Sequence, residues 1–223
     1  MTTILGINAY HGDASAALVV DGELVAAVEE ERFNRIKHWA GFPAESIRWC
    51  LAQGGIEAAD LDHVAISFNP RANLRRRVGF VLTHWPSPKA VLDRLKRQGK
   101  TLGLEEQLAE ALGCEAGALK ARVHRIEHHE THIAAGFLVS PFEEAAVLSV
   151  DGMGDFTSTL TSHARGTTWT NLDRVWYPHS IGFLYNAMTM YLGFPYYGDE
   201  YKVMGLAPYG EPEYLDFFRK MIR

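Results

Sequence analysis

The chain has 223 residues, 22 Lys plus Arg against 27 Asp plus Glu, and a formal charge of −5. With 47% hydrophobic and 22% charged residues it has the balance of a folded domain with a substantial core, which excludes wholesale disorder. The acidic total argues against sequence-independent nucleic-acid binding, so no nucleic-acid partner is expected. No apolar run approaches the roughly 18 residues that a membrane span requires, and the start Met1-Thr2-Thr3-Ile4 lacks the pattern of a signal peptide. Cys50 and Cys114 are too few for a disulfide framework. A cytoplasmic protein with no membrane partner is the expectation.

In chain order, Ile4 to Ile7 is a short strand, Asn8 to Asp13 a turn, and Ala16 to Val20 a second strand reaching the hairpin signal Asp21-Gly22. Leu24 to Val28 returns as a third. Pro43 is placed as the first residue of a helix ending near Gly54-Gly55, with Ile47, Trp49 and Leu51 as its apolar positions. Val64 to Phe68 is a strand closed by Asn69-Pro70.

From Arg71 to Lys100 the composition changes: nine basic residues face the single acid Asp93, so the segment carries +8 and the remainder −13. Leu74, Val78, Val81, Leu82 and Trp85 recur at helical spacing, Pro86-Ser87-Pro88 interrupts, and Val91, Leu92 and Leu95 resume. Two basic amphipathic helices follow, inserted in an α/β scaffold. Their charge serves either as a solvated face or as a docking surface for an anionic partner. Further on, a helix at Leu104 to Leu112, a strand at Arg122 to Glu127 and a helix at His128 to Val139 are expected. Ala145 to Val150 reads as a buried strand opening into a glycine turn, Asp151-Gly152-Met153-Gly154-Asp155. A hairpin around Gly166, an apolar helix from Ile181 to Leu192 and a helical tail from Pro212 complete the pattern.

Three constellations carry possible chemistry. In His128-His129-Glu130-Thr131-His132, residues four apart share a helix face, so His128 and His132 can share one metal ion; His129 and His132 are also geometrically possible. The spacing is not that of the metalloprotease signature, which requires two residues between Glu and the second His. Capping or core histidines are the competing reading. In the second, glycines after a strand allow close backbone approach to a ligand, and Asp151 stands where carboxylates ligate metals in open α/β sheets. An ordinary glycine turn competes with it. The third is the turn Asn8-Ala9-Tyr10-His11-Gly12-Asp13-Ala14-Ser15 between two strands, whose amides and small polar side chains can hold phosphate.

The runs GINAYHGDASAALVVDGELVAAVEEERFNRIKH, HHETHIAAGFLVSPFEEAAVLSVDGMGD and SIGFLYNAMTMYLGFPYYGDEYKVMGLAPYG together resemble the NodU/CmcH family of O-carbamoyltransferases. The resemblance implies an α/β actin-like (ASKHA, ribonuclease-H-like) domain, a mixed sheet flanked by helices with a basic helical insertion. Residues 1–223 would be its N-terminal part and 69–118 the insertion; the second half of the fold and the family's YrdC-like domain lie outside this sequence. It implies transfer of a carbamoyl group from carbamoyl adenylate, made from carbamoyl phosphate and ATP, to an acceptor hydroxyl of a sugar or natural product. It selects His128, His132 and Asp151 as ligands of a divalent transition metal (Fe, Zn or Mn), with His129 as a neighbour. It makes His11 and Lys37 catalytic candidates, with Lys37 as a plain surface cation otherwise. Asn8, Gly12, Asp13, Ser15, Gly152, Gly154, Asp155 and Lys202 become substrate or nucleotide contacts, Lys202 being otherwise a salt-bridge partner of Asp199 or Glu200. An actin-like ATP-dependent phosphotransferase and a non-catalytic metal- or nucleotide-binding fragment are the alternatives. Imidazoles are unusual ligands for the hard magnesium ion of the former.

Overall fold

The computed structural model describes residues 1–84 and 103–222. The chain divides into two units, Met1–His128 and the residues from His129 onward. Among the described residues no helix is long and apolar enough to cross a membrane.

The first unit is built on a mixed sheet of β1 (Thr3–Asn8), β2 (Ser15–Val20), β3 (Glu23–Glu29), β4 (His63–Ile66) and β5 (Arg122–Arg125) in the order β3-β2-β1-β4-β5. β1, β2 and β3 pair antiparallel, joined by short turns, whereas β1, β4 and β5 run parallel and need crossovers. Alternation decides the faces: Leu5, Ile7, Leu18, Val64 and Ile66 point to one side and are all but fully buried. Helices α2 (Ala44–Gly54) and α4 (Leu104–Leu112) supply Ile47, Cys50, Leu51, Leu104 and Leu108 to the same core. The expectation of an α/β fold with a mixed sheet flanked by helices holds.

Two details of α2 differ from the sequence reading. Pro43 is its N-cap and not its first helical residue, and Trp49 lies outward, 37% exposed, because the buried stripe is Ile47, Cys50 and Leu51. Pro43 makes no side-chain cap. The start of α2 is instead capped from a distance: buried Glu30, after β3 and before the single turn α1 (Glu31–Asn34), accepts from the amides of Glu45 and Ser46 and from the Ser46 hydroxyl. An anion at a helix N-terminus meets unsatisfied N–H groups there. Helix α3 (Leu74–His84) forms where the first basic helix is expected, but Leu74, Val78, Val81 and Leu82 are all exposed and none is buried. The second basic helix, with Trp85, Pro86-Ser87-Pro88, Val91, Leu92 and Leu95, lies outside the described residues.

The second unit holds α5 (His128–Phe137), whose first residue closes the preceding unit, and an antiparallel sheet β6 (Glu144–Gly154), β7 (Thr157–Arg165), β8 (Thr168–Trp176). After it come α6 (Ile181–Tyr191), α7 (Glu200–Leu206) and α8 (Leu215–Met221). β6 is not the buried strand expected: Leu148 and Val150 are 65% and 49% exposed, and only one face is packed. Nor is Asp151–Asp155 a glycine turn. β6 continues through Gly152 and Gly154, and the two-residue turn is Asp155-Phe156, both with positive φ. This is the backbone a tight hairpin requires, since a turn with both central residues left-handed matches the twist of its strands. Phe156 is held there by burial of its ring against Tyr177.

Asp62, just before the interior strand β4, sets an acid dependence. Asp62 accepts from the Thr3 amide at 2.8 Å and the Thr3 hydroxyl at 3.1 Å, and these bonds hold its carboxyl below the ordinary 3.8. The folded value lies below the unfolded one, so this contribution to stability is complete above the unfolded value and lost as pH falls through the folded value. Denaturant titrations of Asp62→Asn and wild type should therefore differ near neutral pH and converge below the usual carboxylate range; a constant difference would refute the role of Thr3.

Candidate functional site

α5 carries His128 and His132 on consecutive turns, and β6 carries Asp151. One ligand atom from each of the three lies within 4.8 Å of the others, and His132 Nε2 is 3.8 Å from Asp151 Oδ2. Two bonds of about 2.0–2.2 Å span at most roughly 4.4 Å, so the His132–Asp151 pair fits as it stands and no pair exceeds the span by more than about 0.4 Å. His128 and Asp151 are half-buried and His132 is exposed. Two imidazoles and a carboxylate on one side leave positions open for other ligands, the donor set of iron, zinc or manganese. The residues present fit such an ion.

The carboxylate is aimed by its own backbone. The Gly152 amide donates to Asp151 Oδ1 at 2.6 Å, which turns Oδ2 toward His132. Behind it, the Ser180 hydroxyl donates to the carbonyl of Gly152 at 2.7 Å and accepts from the Phe183 amide at 3.0 Å, capping α6. Gly182 lies so close that a Cβ there would fall 2.6 Å from the Gly152 nitrogen and 2.7 Å from the Asp151 carbonyl. The glycine at 152 thus serves close packing under Phe183, whose ring would lie 3.1 Å from an added Cβ, and extends the strand rather than looping around phosphate.

His129 is excluded as a ligand. It is fully buried, with Nδ1 2.8 Å from Ser149 Oγ and Nε2 3.0 Å from the Thr157 carbonyl. A carbonyl only accepts, so Nε2 carries the proton and Nδ1 accepts from the Ser149 hydroxyl. Of the two pairings open in the sequence, the structure brings together His128 and His132.

Within the first unit the His11 ring meets the His128 ring edge-on, centroids 5.7 Å apart. The Asn8–Ser15 turn is closed internally: Asn8 Nδ2 donates to the Asp13 carbonyl at 2.9 Å and Oδ1 accepts from Ser67 at 3.1 Å. An aspartate at position 8 would set a carboxylate oxygen against that carbonyl, so the amide fits where an acid would not. The Tyr10 and Ala14 amides are spent on the carbonyls of Gly41 and Trp39, so the turn's backbone is only partly available to a phosphate. Ser15 is a strand residue, opposite Asn8. Asp13 meets His38 Nδ1 at 2.9 Å; this neighbour of exposed Lys37 went unnoticed in the sequence. Lys202 binds buried Asp199 at 2.6 Å, and that bond raises its pKa. Asp155, at the hairpin turn, is buried.

Besides His38, three contributors were missed: Glu130, Ser180 and Gly182. Only Ser180 had a legible signal, a serine directly before an apolar helical run. Glu130 accepts from Trp169 Nε1, Asn171 Nδ2 and, at 3.0 Å, Arg174, which joins α5 to β8.

The family described as carbamoyltransferase N-terminus matches residues 3–222. The chain belongs to the carbamoyltransferase N-terminus family. Protein sll1178 of Synechocystis sp. is 42% identical over 223 residues, covering 97% of this chain and 36% of its own length. Nodulation protein NolNO of Sinorhizobium fredii is 38% identical over 205 residues, covering 92% of this chain and 29% of its own. The chain spans about a third of the length of these curated relatives. Among solved structures, YeaZ from Pseudomonas aeruginosa is similar with a TM-score of 0.40 and 14% identity, over 80% of this chain and 68% of that one.

Because Ser180 and Gly182 back the strand carrying Asp151, Gly182→Ala should displace the start of α6. Ser180→Ala, losing a cap, should cost about 1 kcal/mol. Urea unfolding should rank wild type above Ser180→Ala above Gly182→Ala; an unaffected Gly182→Ala would contradict the close approach.

Proposed function

We propose that this chain is the N-terminal part of an actin-like O-carbamoyltransferase in which carbamoyl adenylate, made from carbamoyl phosphate and ATP, gives its carbamoyl group to an acceptor hydroxyl of a sugar or natural product. The observation that supports it is the convergence of His128, His132 and Asp151 in a chain of the carbamoyltransferase N-terminus family. Residues 69–118 are then a helical insertion, and the remaining half of the actin-like fold and a YrdC-like domain complete the enzyme.

In this reading His128, His132 and Asp151 hold a divalent transition metal, which when bound supplies Lewis acidity toward a carbonyl or phosphoryl oxygen. The chain's other residues bind and move protons. His11, against the His128 ring, takes the proton of the acceptor hydroxyl when a substrate places it within about 2.6–3.2 Å. Lys37, exposed and next to the His38–Asp13 pair, offsets charge developing on the departing phosphate. Amides in the part of the Asn8–Ser15 turn around Gly12 cradle the nucleotide phosphate, with Asn8 and Asp13 fixing the turn. Lys202 stays cationic beside Asp199 and contributes its charge from there. The carbamoyl carbon forms a bond to the acceptor oxygen, the bond to the adenylate oxygen breaks, and AMP leaves.

His132→Ala and Asp151→Ala should each lose the one equivalent of Fe, Zn or Mn retained by wild type, measured by elemental analysis after gel filtration, with an unchanged far-UV spectrum. In an enzyme carrying the remaining domains, His132→Ala should abolish acceptor carbamoylation and leave adenylate formation intact. Acceptor carbamoylation at the wild-type rate would overturn the assignment.

A further inference from the structure

His129 and Glu130 lie between the two imidazoles that face Asp151, yet neither points there. α5 starts at His128, so the facing residues lie at its N-terminal end, where the first four amides lack intrahelical partners and helices fray. At about 100° of rotation per residue, His128 and His132 lie within about 40° of each other around the axis. His129 begins a separate buried stripe with Ile133 and Phe137, and Glu130 borders the far side of that stripe.

The two residues fix different degrees of freedom. His129 bridges Ser149 Oγ at 2.8 Å and the Thr157 carbonyl at 3.0 Å, which ties the helix to β6 and to the start of β7. Ser149 and Asp151 are two apart on β6, and Asp151 opens the segment in which the register with β7 shifts, between Val150 and Gly154. From that anchor His132 lies three residues along the helix, about 4.5 Å, and Asp151 two along the strand, and their side chains end 3.8 Å apart. Glu130 gathers the Trp169 indole, the Asn171 amide and the Arg174 guanidinium, all on β8, which sets rotation about the axis.

We infer that His129 and Glu130 are positioning residues: through Ser149 on one side and the β8 donors on the other, they set the register and rotation of α5 that place His128 and His132 against Asp151. The inference rests on the metal-site reading above. Groups that orient ligands without touching the ion typically govern affinity by 10–100-fold.

The test uses the 223-residue chain with Co²⁺ as the probe, followed by visible absorption and calorimetry, in wild type, Ser149→Ala, Ser149→Thr, Glu130→Gln and His132→Ala. Ser149→Ala deletes the donor to His129, Ser149→Thr restores a hydroxyl, and Glu130→Gln brings an N–H₂ among three donors. Expected are affinities about 10–100-fold weaker, with altered Co²⁺ bands, for Ser149→Ala and Glu130→Gln. Ser149→Thr should return toward wild type, and the metal-free far-UV spectra should match. If Glu130→Gln fails to fold, Trp169→Phe, which removes one donor only, must show the weakening. Wild-type affinity and bands in Ser149→Ala and the Glu130-side variant would overturn the positioning role while leaving the metal site standing. Equal binding by wild type and His132→Ala, or none by either, would overturn the metal site and this inference with it.

Discussion

A buried imidazole forfeits its hydrogen bonds to water, and leaving either nitrogen unsatisfied costs about 1–3 kcal/mol. His129 recovers both within the fold, one from a hydroxyl and one from a backbone carbonyl, and in doing so joins α5 to β6 and β7. The arrangement of the candidate centre follows from that junction. Once His129 is fixed, helical geometry places His128 and His132 on the neighbouring face, and strand geometry places Asp151 two residues beyond Ser149. Glu130 and its three donors on β8 hold the opposite flank. In the proposed reading the run His128–His132 interleaves a ligand pair with its own support, the two functions separated by the angle between successive helical residues.

The same economy governs the strand that carries the carboxylate. Asp151 cannot choose its rotamer independently, because the next amide holds one of its oxygens. That segment is pressed from behind by the start of α6, where Gly182 admits the backbone of β6 and Ser180 ties down its carbonyls. Gly152, which suggests a phosphate loop in sequence, packs under the Phe183 ring. The amino-terminal turn divides its labour similarly: Asn8 closes it, His38 meets Asp13, and two of its amides belong to the segment around Trp39 and Gly41. What it offers a ligand is correspondingly narrower than its length suggests.

Legibility in the sequence tracked the range of the interactions involved. The strands around Asp21-Gly22, the helix at Leu104–Leu112 and the hairpin around Gly166 depend on neighbours a few residues away, and their patterns were visible as such. The extent of β6 was misjudged because pairing of Gly154 with Thr157 carries the strand past a register shift at residues 151–153, and Gly accepts either conformation. The burial of β6 was misjudged because apolarity reports what a strand prefers, not whether anything lies against it; Leu148 and Val150 are exposed despite it. Trp49 misled for the related reason that a large ring near a helix face satisfies the pattern without entering the core. The long-range cap of α2 by Glu30 has no local signature at all.

By itself the amino-acid sequence determined the α/β class, the succession of most elements, the helix bearing two histidines four residues apart and the kinship with carbamoyltransferases, because each is written in short-range periodicity or in extended similarity along the chain. Only the tertiary structure decided which histidine is buried, that Glu130 supports the helix, and how far the carboxylate of Asp151 lies from His132. Those outcomes depend on which faces of separate elements meet, and a side chain's role as ligand or anchor is assigned by what it meets there, at distances in space that spacing in sequence does not encode.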